Sequence, residues 1–216
     1  VTAEIRCVES APFAQNSYVL WLPGRNDAVV VDPGFEPDLI LELLAGEKLH
    51  LAAILNTHGH VDHIAGNAAM KHAAPTAPLV IGVGDAAMLT DADLNLSGPF
   101  GMPVTSPPAD HTVGEGESIS FAGMDFDVLD LPGHSPGHVV FLVRGTKPLL
   151  VLGGDVLFRE GIGRYDFPGG SFEQLATSIR TKLFPLPADS VVYPGHGPVT
   201  TVGHEKANNP FVGENA

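Results

Sequence analysis

A chain of 216 residues, 44% hydrophobic and 17% charged, carries enough apolar material for a sizeable core and is unlike a disordered polypeptide. Its 25 acidic residues outnumber 11 Lys and Arg for a formal net charge of −14, which argues against nucleic acid as a partner. The lone cysteine, Cys7, rules out an internal disulfide and a thiolate zinc cage, and fits a reducing cytoplasm. No apolar run nears the roughly 18 residues of a membrane helix, and Val1 opens no leader-like segment, so no membrane partner is expected.

Residues 3–9, 16–22 and 27–31 read as strands, with Pro23-Gly24 as the turn between the last two. Pro37–Leu44 predicts a short helix, with its proline in the first turn and Gly46 just past its end. Leu51–Asn56 is an apolar run short enough for a buried strand. A helix over Ile64–His72, a strand at Leu79–Ile81 and a short helix at Asp85–Leu89 follow. Residues 92–113 hold four prolines and little periodicity, so they read as a long loop of the kind that often carries function. Strands return at 117–121, 124–131, 138–143, 148–152 and 189–193. Between the last two lies a predicted helix, Ser171–Leu183, with Ser171 as its N-cap. No repeat or linker interrupts the chain, so a single domain over 1–216 is expected. Strands mixed with helices in both halves suggest two sheets face to face with helices outside; pattern alone leaves a doubly wound sheet open.

The chemistry concentrates in Thr57-His58-Gly59-His60-Val61-Asp62-His63, directly after the strand 51–56. Gly59 is expected to let the backbone turn tightly so that neighbouring imidazoles share one volume. Imidazole with carboxylate suits Zn, Fe or Mn better than Ca or Mg. Three later apolar runs end the same way, in Pro132-Gly133-His134, Gly153-Gly154-Asp155 and Pro194-Gly195-His196. Four separated strands thus deliver His or Asp at their carboxyl ends, where loops can converge on one cleft. His58, His60, His134 and Asp155 would fill one metal site, while Asp62, His63 and His196 need a second. Asp155 has two oxygens and could bridge them, so two divalent ions per chain are expected. Zinc comes first, with iron or manganese as alternatives. Asp32 is expected to orient the ligand loop by hydrogen bonds, and His138 to support it. His50, His72, His111 and His204 read as surface or packing residues.

Thr57–His63 resembles the HxHxDH signature of the metallo-β-lactamase superfamily, and His134, Asp155 and His196 match its later ligand positions in order and type. The resemblance implies an α/β, four-layer αββα sandwich of two mixed β-sheets with the metals at one edge. Asp155 looks like the bridging carboxylate of the hydrolase branch. Gly153–Phe158, the run Gly163–Gly170 and the tail His204–Phe211 resemble the glyoxalase II group, hydroxyacylglutathione hydrolases. Full-length members carry a further C-terminal helical domain and this sequence ends soon after Phe211, so a short form is expected.

The activity so implied is hydrolysis of a small-molecule thioester such as S-lactoylglutathione by a hydroxide shared between two ions. Asp62 and Asp155 would be the catalytic carboxylates, and Arg164, Tyr165 and Arg159 the candidate substrate contacts. The alternative is a mononuclear iron dioxygenase acting on glutathione persulfide. Such enzymes typically have Ala and Asp where this chain has Gly195 and Gly197, which favours the hydrolase.

Overall fold

In the computed structural model, which describes residues 2–216, a six-stranded sheet grows from the N-terminal strands. β1 (Glu4–Ser10), β2 (Gln15–Trp21) and β3 (Asp27–Val31) pair antiparallel. β4 (His50–Asn56), β5 (Leu79–Gly82) and β6 (His111–Val113) then continue in parallel. The second sheet takes β7 (Ser118–Phe121), β8 (Met124–Asp130), β9 (Val139–Val143), β10 (Leu150–Gly154), β13 (Val191–Pro194) and β14 (Thr200–Thr201). Its order is β14-β13-β10-β9-β8-β7, with only β10 and β13 parallel. Between β10 and β13, β11 (Leu157–Phe158) and β12 (Gly161–Ile162) form a small hairpin.

Both sheets are buried on two faces, which is why several strands read as unbroken apolar runs. Tyr18, Leu20, Val29 and Leu55 share one core with Phe126, Val128, Phe141 and Leu152 between the sheets. The alternate residues Val19, Trp21, Val30 and Ile54 pack on Ile40 and Leu44 of α1 (Pro37–Gly46) and Met70 of α3 (Asn67–Ala73). On the other side Val140, Leu142, Val151 and Val192 meet Leu175 of α4 (Phe172–Ser178) and Val202 of α5 (Val202–Asn208). The layers run helix, sheet, sheet, helix, which excludes the doubly wound alternative.

Several boundaries differ from the sequence reading for identifiable reasons. The helix expected over 64–72 is two, α2 (Val61–Ile64) and α3. The chain turns at Ala65-Gly66, where the Gly66 N–H donates to Pro33 O at 2.9 Å. The helix expected over 171–183 begins at its Ser171 cap, whose Oγ accepts from Gln174 N, but becomes a π-helical turn over Ile179–Leu183. β6 lies inside the proline-rich loop; three residues leave too little periodicity to detect. Among the described residues, no helix is long and apolar enough to cross a membrane.

Candidate metal centre

The strand ends deliver the chemistry. β4 runs into Thr57 and His58, β10 into Asp155, and β13 into Gly195 and His196. His60 caps α2 in an extended conformation, and α2 itself carries Asp62 and His63. Gly59, where a tight turn is expected, does not adopt a left-handed backbone. It is required for space, because a Cβ there would meet Met88 Cβ at 2.5 Å and Asp85 O at 3.2 Å.

Among the described residues three groups of donors each lie within 4.8 Å: His58 with His60 and His134, Asp62 with His63 and His196, and Asp32 with His58 and His63, the last turned toward the loop behind the first two. The first two each combine residues following strands of both sheets. Asp155 lies between these two. Its Oδ2 is 3.5 Å from both His134 Nε2 and His196 Nε2, and its Oδ1 is 3.4 Å from His63 Nε2. All seven residues singled out in the sequence therefore meet at one edge of the sandwich.

Hydrogen bonds decide which ring nitrogens face inward. A carbonyl can only accept, so His134 Nδ1 donates to Arg164 O at 2.7 Å and His196 Nδ1 to Phe13 O at 3.2 Å. His63 Nδ1 donates to Asp32 Oδ2 at 3.0 Å. Thr57 Oγ1 gives its own proton to Asp32 Oδ2 at 2.7 Å, so it accepts from His58 Nδ1 at 3.1 Å. Each arrangement turns Nε2 of the imidazole toward the centre.

The residues fit metal ions. His58 Nε2 and His134 Nε2 face each other at 3.3 Å, close to the edge of a tetrahedron with arms of about 2.0–2.1 Å. His60 Nδ1 lies 2.9 Å from the same His134 nitrogen. His63 Nε2 and Asp155 Oδ1 are buried with no hydrogen-bond partner, an arrangement a cation would resolve.

The two groups differ electrostatically. Burial lowers His58, His60 and His134, with neighbouring imidazoles adding to the effect for His58 and His60, and His60 falls to about 3. Burial opposes charge on His63 too, yet Asp155, Asp62 and Asp32 hold it well above its ordinary value. His196 is also raised against burial, by its hydrogen bond to Asp62 and the charge of Asp155. An ion entering the three-histidine group thus meets neutral donors, whereas one entering beside Asp62 must displace protons. As pH falls from weakly alkaline to weakly acidic, the second group should release its ion first. Competition with a chromophoric chelator at each pH would register that order.

Asp32 performs the supporting role expected of it. One carboxylate accepts from Thr57 N at 2.7 Å, Thr57 Oγ1 and His63 Nδ1, so both of its oxygens serve the ligand loop. Asp32→Ala should weaken metal affinity by roughly 10–100-fold, read by chelator competition. Loss of ion from neither group would remove Asp32 from this role.

His138 Nε2 accepts from Asp155 N at 3.0 Å and its ring stacks on His58. His50, His72 and His111 are exposed, and His204 lies 3.1 Å from Glu160 on the surface.

Sequence reading missed Asp85. It is buried and accepts from Gly59 N, Ser135 Oγ at 2.5 Å and Gly137 N at 2.6 Å, tying the two histidine loops together. Also missed was the start of β2. Asn16 N donates to Gly195 O at 2.7 Å, its Nδ2 reaches Pro194 O and Gly197 O, and Gln15 pairs with His196. No local pattern marks either, since the partners are far away in sequence.

The centre opens into a cleft of about 310 Å³, lined in part by His60, Asp62, His134, Asp155 and His196. Arg164 reaches its wall, but Arg159 and Tyr165 do not. Arg159 sits at the exposed tip of the β11–β12 hairpin, and the Tyr165 ring packs outward on Phe172 at 5.2 Å. Their expected substrate contacts are therefore not supported by their placement.

An αββα sandwich with two His/Asp groups converging at one edge defines a metal-dependent enzyme of the metallo-hydrolase class. The chain belongs to the metallo-beta-lactamase superfamily, whose family model matches residues 10–196. It is 37% identical over 211 residues to hydroxyacylglutathione hydrolase GloC of Haemophilus influenzae, covering 96% of this chain and 97% of that protein. The crystal structure of BLEG-1, described as a B3 metallo-beta-lactamase, matches with a TM-score of 0.92 at 36% identity, covering 97% of this chain and 99% of that one. TTHA1623, solved in a di-iron-bound form, matches with a TM-score of 0.81 at 36% identity, covering 95% and 99% respectively.

Proposed function

We infer that this protein is a binuclear metallohydrolase that cleaves thioesters, with S-lactoylglutathione as the first substrate to test. The observation that carries the reading is the placement of Asp155 between two three-donor groups at the floor of an open cleft. The 37% identity to GloC supports the choice of thioester.

His58, His60 and His134 would hold one ion, Asp62, His63 and His196 the other, and Asp155 would reach both. Bound ions of this kind polarise a carbonyl and lower the pKa of water to about 7, supplying a nucleophile near neutrality. The protein's own groups prepare that chemistry. Asp62 stays ionised despite its burial, because His63 and His196 stabilise its charge. As it also lines the cleft, it can accept a hydrogen bond from an attacking water and so orient it. Asp32, Thr57 and the Arg164 and Phe13 carbonyls fix the imidazoles, so little reorganisation accompanies reaction.

Elemental analysis of protein purified without added metal, paired with thiol release from S-lactoylglutathione, tests the reading. Near two ions per chain with thiol release is the expected result; zinc is the first expectation and iron or manganese the alternatives. One iron per chain with oxygen uptake on glutathione persulfide would replace it with the dioxygenase reading.

A further inference from the structure

The walls of the cleft above the donor groups are almost wholly apolar. Phe13, Leu96, Phe100, Phe158, Ile162 and Phe167 supply them. Its polar side chains away from the donors already make hydrogen bonds within the protein. Arg164 Nε and Nη2 donate to the two oxygens of Asp166 at 2.9 Å, and its guanidinium lies 4.1 Å from the centre of the Phe167 ring. Asn95 Nδ2 donates to Met88 O and Val104 O, and its Oδ1 accepts from Ser97 N. A ligand bearing carboxylates would meet one arginine on these walls, Arg164, already shared with Asp166, on a chain of net charge −14.

From these walls, and resting on the hydrolytic reading, we propose that the cleft selects thioesters whose two arms are uncharged and apolar, alkyl or aryl, over anionic glutathione conjugates. Six apolar side chains around a volume of about 310 Å³ bury a short alkyl or phenyl group. Arg164, its charge balanced by Asp166 and its plane laid against Phe167, then acts as a wall of the cleft and not as an anchor for an anion.

The test uses the metal-loaded protein and two series of probes. Acetyl, butyryl and hexanoyl thioesters of N-acetylcysteamine report kcat/KM, with S-lactoylglutathione alongside. S-methyl and S-hexyl thioethers of the same thiol, which cannot be hydrolysed, report binding by calorimetry. A buried methylene is worth a factor of about four, so at least a tenfold rise from acetyl to hexanoyl is expected. The hexyl thioether should likewise bind at least about tenfold tighter than the methyl one. Phe100 is 57% exposed, so Phe100→Ala spares the core and should flatten both gradients.

Flat gradients, or S-lactoylglutathione as the better substrate, would overturn the proposal and leave the hydrolytic reading in place. Gradients that persist unchanged in Phe100→Ala would overturn it too. A thioether gradient with no thioester turned over would support the apolar cleft and remove the hydrolytic reading instead.

Discussion

Asp155→Ala should abolish turnover and metal retention together. The carboxylate lies within 3.5 Å of donors from both clusters, His134 on one side and His63 and His196 on the other. Its charge, held ionised against burial by His63, His134 and His196, also favours cations in a pocket otherwise crowded with imidazoles. Losing a support of a ligand costs roughly 10–100-fold, so losing a group shared by both sites should lower kcat by at least about 1,000-fold. The backbone N–H of Asp155 and its bond to His138 remain in the variant, so the strand end should keep its path. Metal analysis and thiol release on the purified variant, after a melting curve to confirm folding, read the outcome. Full metal content with full activity would refute the shared role of Asp155.

On the binuclear proposal, Gly195→Ala should leave one bound ion where two are expected. A Cβ at this position would lie 2.1 Å from Asp155 Oδ1 and 2.6 Å from His63 Cε1. The backbone has little freedom to retreat, because Gly195 N donates to Gly154 O at 2.8 Å and Gly195 O accepts from Asn16 at 2.7 Å. His63 is tied to Asp32, so the added methyl acts on Asp155 and on the space beside His63. The three atoms nearest the methyl belong to Asp155 and His63, none of them to His58, His60 or His134. Metal content should fall from near two to near one ion per chain, and kcat by about 100-fold, the scale of a 1 Å misplacement in an active site. Unchanged stoichiometry would show that the centre relaxes around the methyl.

Much of the centre was legible because its grammar is local. Each ligand follows an apolar run, often with a glycine between, and His58–His63 fall within one loop and turn. Counting donors against coordination places separated His58, His60 and His134 from Asp62, His63 and His196, which also fall in separate close groups in the structure, with Asp155 in neither. What stayed hidden depends on separation in sequence. Asp85 joins Gly59 to Ser135 and Gly137, and Asn16 holds the Pro194–Gly197 turn, yet neither has a neighbour that hints at its partner. The cleft walls were hidden for the same reason, since Phe13, Phe100 and Phe167 come from three distant segments. Arg159 and Tyr165 were chosen for charge and proximity to Asp155, but a hairpin tip and an outward aromatic pair direct them elsewhere.

The His58–His60–His134 and Asp62–His63–His196 groups each take two residues from the loop and helix after β4 and a third from beyond β8 or β13, so neither is complete until the second sheet packs on the first. An ion held by either of these groups would be captured only after the second sheet docks onto the first. Tight retention then becomes a report that the sandwich has closed, and a chain stalled halfway would release its ions to any competing chelator.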